Sequence, residues 1–218
     1  ADRTVLARIL VGRAAARHGL GVSFSPVPFP GGAGNGAHLH LSLSDADGPV
    51  FSGGTGPHGM TPKGAAVVAG IVAGLPEVQG VLAGSVLSPV RLKPGNWAGA
   101  FACWGLENRE AAVRFIAANA GNPHGANVEL KAIDGSANPY LAGATLLGLA
   151  LDGIERDLPL PPEVPVDPAT LPEADRERLA LATSQTAALD ALDASRWARS
   201  ILGDAIVDGT LAVRRYEH

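Results

Sequence analysis

Gly34-Asn35-Gly36-Ala37-His38-Leu39-His40-Leu41-Ser42 is the stretch on which the reading of this chain turns. Successive side chains of a strand point to opposite faces. His38, His40 and Ser42 therefore share one face, while Ala37, Leu39, Leu41 and Leu43 share the other. The apolar face belongs to a core. The polar face presents two imidazoles and a hydroxyl side by side. Imidazole binds divalent metal, and a hydroxyl or second imidazole bonds phosphate oxygens. The glycines ahead of the strand let a backbone approach a ligand closely. The same pattern also describes a solvated strand face with two incidental histidines, and a lone His-x-His names no metal.

Outward from this strand, Val5, Leu6, Ile9 and Leu10 repeat at helical spacing and predict a helix over Asp2–His18, ended by Gly19. Gly21–Pro26 reads as a short strand, Val27–Gly36 as a Gly/Pro loop and Ala37–Ser44 as the strand itself. Asp45-Ala46-Asp47-Gly48 is a hairpin turn returning through Val50 and Phe51. A loop runs on to Gly59. Thr61 then caps a helix starting at Pro62, because proline at the first helical position has no N–H to leave unpaired. Strands are predicted over Ala98–Trp104, Ala111–Ile116 and Val128–Ala132, and a helix from Pro139 to Leu158. Pro159–Pro172 holds six prolines and is excluded from regular helix. Glu173–His218 reads as two or three short helices. The fold class is α+β, an antiparallel sheet with helices packed on one face. The chain divides into residues 1–158, a proline-rich connection 159–172, and a C-terminal helical segment 173–218 of the same domain.

Composition narrows the partners. With 46% hydrophobic and 17% charged residues, the chain has material for a core and no signature of disorder. Net charge is −4, against nucleic acid as a partner. The longest apolar runs, Ala65–Leu75 and Tyr140–Leu151, are too short to span a bilayer, so no membrane is expected. Cys103 is the single cysteine, which excludes an internal disulfide and fits a reducing, cytoplasmic setting. The sequence opens on Ala1 rather than Met, with a helix start rather than a signal peptide, and is expected to be a fragment.

Two further constellations carry chemistry. The first is Arg91-Leu92-Lys93-Pro94-Gly95-Asn96-Trp97, followed by Glu107-Asn108-Arg109-Glu110 and Arg114. Arginine's planar fork suits carboxylate and phosphate, and these three arginines would cluster once the strands pair. Alternatively they are surface arginines in ion pairs with Glu107 and Glu110. The second is Asn127-Val128-Glu129-Leu130-Lys131, whose alternation sets Asn127, Glu129 and Lys131 on one face. A carboxylate there suits a hard cation such as Mg²⁺ or Mn²⁺, or forms a plain Glu–Lys pair. Asn138 caps the following helix.

In this order and at these spacings, the segments resemble the glutamine synthetase family. The His-x-His strand resembles its metal and ATP strand, and Arg91–Gly95 its Arg-Leu-x-Pro-Gly loop. Asn108-Arg109 with Arg114 resembles its Asn-Arg-x-x-x-x-Arg segment, and Glu129 to Tyr140 its Glu-x-Arg…Asp-x-x-x-Asn-Pro-Tyr stretch. Tyr140–Leu158 resembles the helix that follows. The resemblance covers Asp2 to about Leu158 well and the C-terminal helices loosely. It implies that His38 and Glu129 ligate one metal ion and that His40 and Ser42 contact ATP. It implies that Arg91 holds the carboxylate of glutamate, with backbone contact at Gly34. Arg109 and Arg114 would meet the ATP phosphates and the acyl-phosphate intermediate, Arg109 as a catalytic group. ATP and Mg²⁺ or Mn²⁺ are the implied cofactors, and glutamate with ammonia or another amine the substrates.

The departures are equally specific. Trp97 stands where the family has a glutamate that deprotonates ammonium, and Lys131 where it has an arginine facing the substrate. Asn127 and His124 replace basic positions near ATP, and Ala33 an asparagine near glutamate. Tryptophan does no acid–base work, though it offers a π face to an organic cation. The expected function is an ATP-dependent ligase forming a γ-glutamyl amide from glutamate and ammonia. The alternatives are a ligase using a larger amine such as a polyamine, or a non-catalytic structural relative. The family's further glutamates and N-terminal domain should precede Ala1. The chain alone is therefore expected to bind metal and nucleotide weakly and not to turn over, and the full-length protein to be a homo-oligomer.

Overall fold

The computed structural model describes residues 1–123 and 125–217. The decisive segment forms strand β1 (Gly36–Leu41), and a tight hairpin of β2 (Ser44–Asp45) and β3 (Gly48–Pro49) follows it, as the Asp45–Gly48 turn predicts, with Val50 and Phe51 lying beyond the returning strand. With β4 (Phe101–Leu106), β5 (Ala111–Ile116) and β6 (Asn127–Asp134), β1 builds a four-stranded sheet in the order β1-β6-β5-β4. The pairs β1–β6 and β5–β6 are antiparallel. β4 departs from the expectation and runs parallel to β5, although only Glu107–Glu110 separate them. The strands are short enough for this: the links from Leu106 to Ala111 reach about 17 Å at full extension, roughly the length of one such strand.

Register fixes which side chains meet. Leu39, Leu130 and Val113 line up across β1, β6 and β5. One residue along, His40, Glu129, Arg114 and Gly105 line up across all four strands. The first row enters the core and the second presents the polar face. A one-residue slip would exchange the two rows, so the buried leucines and valine hold the polar row in place. Between Ala37 and Leu39, β1 advances two residues while β6 advances three, leaving Lys131 and Ala132 opposite His38.

The core side is covered by helices. α1 (Asp2–Arg17) lies at the N-terminus and buries none of its residues. α2 (Pro62–Leu82) starts as predicted, with Thr61 Oγ1 accepting from Gly64 N–H at 3.1 Å. It packs against β4, β5 and β6. Its apolar run is part of a helix long and apolar enough to cross a membrane by composition alone, yet most of that helix is buried inside this fold. After α3 (Ser88–Arg91), α4 (Pro139–Glu155) crosses α2 closely. A Cβ on Gly70 would fall 2.7 Å from the Cα of Gly153. The two backbones touch there because neither carries a side chain. Asn138 caps α4, accepting from Tyr140 N–H at 2.9 Å.

The proline-rich connection lies along β4, the edge of the sheet. Val164 N–H donates to the Trp104 carbonyl at 2.9 Å, and Trp104 Nε1–H to the Pro161 carbonyl at 2.8 Å. This covers backbone groups that an edge strand otherwise leaves open. Among the described residues the C-terminal segment forms α5 (Glu173–Leu179), α6 (Gln185–Ala194), α7 (Arg196–Leu202) and α8 (Asp204–Arg215), more helices than expected. Ser184 and Ser195 supply caps that divide α6 from its neighbours. Leu189, Leu192, Val207 and Leu211 join the same core as the sheet.

Several strand boundaries differ from the sequence reading: β1 ends at Leu41 rather than Ser44, leaving Ser42 beyond the strand, and β6 runs Asn127–Asp134 rather than Val128–Ala132. Gly21–Pro26 forms no strand; Asn35 bonds to it instead, donating to the carbonyls of Pro26 and Ser25. β4 begins at Phe101 rather than Ala98, because Trp97 and Gly99 adopt left-handed backbone conformations that end any ladder.

Candidate active site

The polar face of the sheet, the Gly-rich loop before β1 and the loop after α3 enclose a cleft of about 870 Å³. Among the described residues, five cationic side chains line it, Arg91, Lys93, Arg109, Arg114 and Lys131, against one carboxylate, Glu129. In a chain of net charge −4, that concentration of positive charge suits an anionic ligand.

Arg91 ends α3 and is buried, not on the surface. Its Nη1 donates to the Ile133 carbonyl at 3.1 Å. Gly34 and Gly36 lie close against its side chain. A Cβ on Gly34 would come within 2.9 Å of the Arg91 Cγ, and one on Gly36 would overlap the guanidinium. The glycines that the sequence associates with ligand approach thus also admit this arginine beneath β1.

Glu129, 3% exposed, is the hub of the polar row. Its Oε1 meets Nδ1 of His38 and lies 3.7 Å from Nε2 of His40, while its Oε2 accepts from Arg114 Nη1 at 3.1 Å. Arg114 also pairs with Glu107. Burial alone would raise the Glu129 pKa, but the His38 hydrogen bond, the Lys131 charge and Arg114 outweigh it and hold the carboxyl below its usual range. His38 moves down, because burial outweighs the attraction of Glu129. Its neutral imidazole is the form that binds metal. Lys131, 3% exposed, is likewise lowered, first by burial and further by Arg114 and Arg91, with Glu129 and Glu110 opposing.

One imidazole nitrogen and one carboxylate oxygen converge, a donor pair that suits a hard divalent cation. No group of three His, Cys, Asp or Glu able to hold a metal occurs among the described residues. His40 and Ser42 stand outside the cleft lining: His40 Nδ1 lies 2.9 Å from Asn127 Oδ1, and the Ser42 hydroxyl donates to the Ala126 carbonyl at 3.4 Å. Asn127 is therefore a partner of His40 on the strand face. His124 lies outside the described residues.

On the far wall, Trp97 is 65% exposed and lines the cleft with its backbone at φ +49°. A left-handed conformation at a bulky residue costs about 1–2 kcal/mol. Trp97 N–H donates to Glu110 Oε1 at 2.9 Å. Arg109, exposed at the cleft, sits in the turn between β4 and β5 and makes no ion pair among the described residues. Asn108 shapes that turn from both sides. Its Nδ2 donates to the Val164 and Val166 carbonyls at 2.7 and 2.9 Å, and its Oδ1 accepts from the N–H groups of Glu110 and Ala111 at 3.0 and 3.3 Å. Sequence reasoning assigned Glu110 to arginine pairing and gave Asn108 no separate part. For Asn108 a signal existed, since asparagine side chains commonly bond backbone N–H groups two residues on.

Comparison with known proteins shows the family of the chain. The model of the glutamine synthetase catalytic domain matches residues 1–218. The chain is 41% identical to the gamma-glutamylpolyamine synthetase GlnA3 of Streptomyces coelicolor, over 98% of this chain and 47% of that protein. It is 30% identical to the glutamine synthetase of Methanocaldococcus jannaschii, over 100% of this chain and 48% of that protein. A solved complex of GmaS with ADP superposes with a TM-score of 0.84 at 30% identity, covering 99% of this chain and 50% of that one. The chain spans about half the length of the relatives it matches. With a whole-length family match and a shared fold, the chain belongs to the glutamine synthetase catalytic-domain family.

Proposed function

We propose that the protein carrying this chain joins the γ-carboxylate of glutamate to an organic amine larger than ammonia, with ATP as phosphoryl donor and Mg²⁺ or Mn²⁺ as cofactor. The observation that carries this reading is a cationic cleft whose Trp97 wall presents an indole, with no carboxylate among the described residues lining that wall. Its 41% identity to a gamma-glutamylpolyamine synthetase, against 30% to a glutamine synthetase, points the same way.

In this reading Arg91, rigid between Gly34, Gly36 and the Ile133 carbonyl, holds a substrate carboxylate. Arg109 and Arg114 neutralise the transferred phosphoryl group while a carboxylate oxygen of glutamate attacks phosphorus and ADP departs. A neutral amine nitrogen then attacks the acyl carbon, the carbon–oxygen bond to phosphate breaks, and the proton lost from nitrogen leaves with the departing phosphate. His38 and Glu129 would hold the metal, which when bound supplies charge neutralisation at phosphate oxygens. His40 and Ser42, at the outer end of the strand face, would contact the nucleotide. Trp97 carries no titratable group, so it grips an amine by contact with methylenes and by cation–π attraction, worth roughly 0.5–2 kcal/mol.

The test is phosphate release by the full-length protein with glutamate, ATP and Mg²⁺, comparing ammonia, methylamine, putrescine and spermidine. Diamines and polyamines should exceed ammonia in kcat/KM by at least about tenfold. Trp97→Glu should restore ammonia use, since a positioned base contributes about 10²–10⁴-fold, and depress use of the larger amines. A wild-type preference for ammonia would return the chain to glutamine synthesis. Absence of release with every amine would leave a non-catalytic relative.

A further inference from the structure

The loop from Lys93 to Gly99 forms the wall of the cleft opposite the metal-side strand, and its backbone is irregular. Gly95, Trp97 and Gly99 all sit in the left-handed region, with φ of +79°, +49° and +75°. Two of these are glycines, for which the conformation is free of strain; Trp97 must be held there. Its neighbours do not hold it. Among the described residues, the other hydrogen bonds made by Lys93–Trp97 stay within residues 91–97: Lys93 N–H to the Arg91 carbonyl, Asn96 N–H to the Lys93 carbonyl, and the Asn96 amide to the Arg91 carbonyl. The bond that leaves the loop is Trp97 N–H to Glu110 Oε1, at 2.9 Å.

Glu110 is itself unusual. It is 7% exposed, directly before β5, and its second oxygen, Oε2, is buried with no hydrogen-bond partner among the described residues. A buried, half-satisfied carboxylate is costly. A neutral or apolar residue would suffice if Glu110 only began a strand. Its backbone N–H is fixed by Asn108 Oδ1 at 3.0 Å, and Asn108 is fixed to the proline-rich connection. Glu110 is thus a rigid post rising from the sheet, and the loop bearing the indole rests on it.

We infer that Glu110 is the positioning residue of the amine subsite: its carboxylate pins the Trp97 backbone so that the indole stands at the cleft mouth. This rests on the reading above, in which the indole meets the amine. Glu110 acts through Trp97 and touches no substrate.

The experiment uses the full-length protein with Glu110→Ala, Glu110→Asp and Glu110→Gln. Aspartate keeps the charge and withdraws the oxygen by one methylene; glutamine keeps the oxygen and loses the charge. The Ala and Asp variants should raise KM for the amine about tenfold, the scale of a misplaced substrate-positioning group, and leave KM for ATP and glutamate within about twofold. The Gln variant should stay near wild type. A second readout is independent of which amine is used: acrylamide quenching of Trp97 emission, taken against a Trp97→Phe background, should increase in the Asp variant and not in the Gln variant. An unchanged amine KM with unchanged quenching in the Asp variant overturns the proposal. So does a Gln variant as impaired as the Asp variant, which would make the charge rather than the hydrogen bond the operative feature. Equal rises in all three KM values overturn it too. If wild type rejects every amine larger than ammonia, the amine reading fails while the quenching result still decides the role of Glu110.

Discussion

Gly36→Ala is the substitution whose consequence can be worked furthest from the geometry. The added Cβ would stand 2.7 Å from Cζ and 2.9 Å from Nε of Arg91, against a comfortable separation of about 3.5–4.0 Å. Nη2 would lie closer still, so the guanidinium must move by roughly 1.5–2 Å to reach that separation. Any such movement disturbs the bond that its Nη1 donates to the Ile133 carbonyl at 3.1 Å, and Gly34 packs close to its Cγ. Overpacking of this kind costs about 1–3 kcal/mol, and weakening a hydrogen bond from a charged group adds up to about 1.5–3 kcal/mol. A total near 2–4 kcal/mol is expected in urea unfolding. If about half of it is expressed as misplacement of Arg91 toward the acid substrate, KM for glutamate rises about 5–30-fold at 1.4 kcal/mol per decade, with KM for ATP nearly unchanged. Gly12→Ala, on α1 with open space around the new methyl, is the control and should be neutral or stabilising by up to about 1 kcal/mol. A Gly36→Ala protein with stability within about 0.5 kcal/mol of wild type and an unaltered glutamate KM would refute both the packing argument and the assignment of Arg91.

Other outcomes follow from the same kind of reasoning. Asn108→Ala removes four hydrogen bonds and should cost about 2–4 kcal/mol in urea unfolding; in the full-length protein kcat should fall with it, because the turn that carries Arg109 loses its shape. Gly153→Ala places a methyl 2.9 Å from the Gly70 Cα and should lower thermal stability by about 1–3 kcal/mol, whereas Gly143→Ala on the same helix meets open space and should raise it by up to about 1 kcal/mol. Glu163 accepts from Leu106 N–H at 2.9 Å and faces His58 at 2.7 Å; burial would raise its pKa, but these two partners outweigh that and lower it. A depressed carboxyl stabilises above its unfolded value of 4.5 and loses that contribution as pH falls through the folded value. Glu163→Ala should therefore cost about 1–2 kcal/mol near pH 7, and its deficit should shrink in unfolding curves taken progressively below pH 4.5.

The parts of this fold that were legible in the sequence are those governed by short-range rules. Thr61 with Pro62, Asn138 with Pro139 and the Asp45–Gly48 turn announce their elements because each satisfies a local backbone requirement. The alternation of His38 and His40 against Leu39 and Leu41 gave the strand and its two faces, since that depends only on the pleat. What stayed hidden depends on partners distant in sequence. Nothing local says that β4 pairs in parallel with β5, or that Gly21–Pro26 bonds to Asn35. Arg91 reads as an exposed cation until Gly34 and Gly36 are seen to lie on it. Glu110 reads as an arginine partner until its carboxylate is found under Trp97, 13 residues earlier.

The placement of the cleft residues divides the proposed chemistry into two mechanical classes. His38, Glu129, Arg114 and Lys131 rise from strands whose opposite face carries Leu39, Leu130 and Val113. A change there that disturbs register moves the whole polar row to the other face, so the metal and phosphate side is fixed by the core. Trp97 and Lys93 belong to a loop that hangs from one carboxylate and three left-handed residues. A substitution there leaves the core untouched and alters only which groups meet the loop wall. Within the proposed function, phosphoryl transfer is thus coupled to global stability, and choice of amine is not. The two are separable by experiment: loop variants such as Trp97→Glu should change the ratio of kcat/KM between amines at constant unfolding free energy, while variants of the Glu129 row should lose activity toward every amine together.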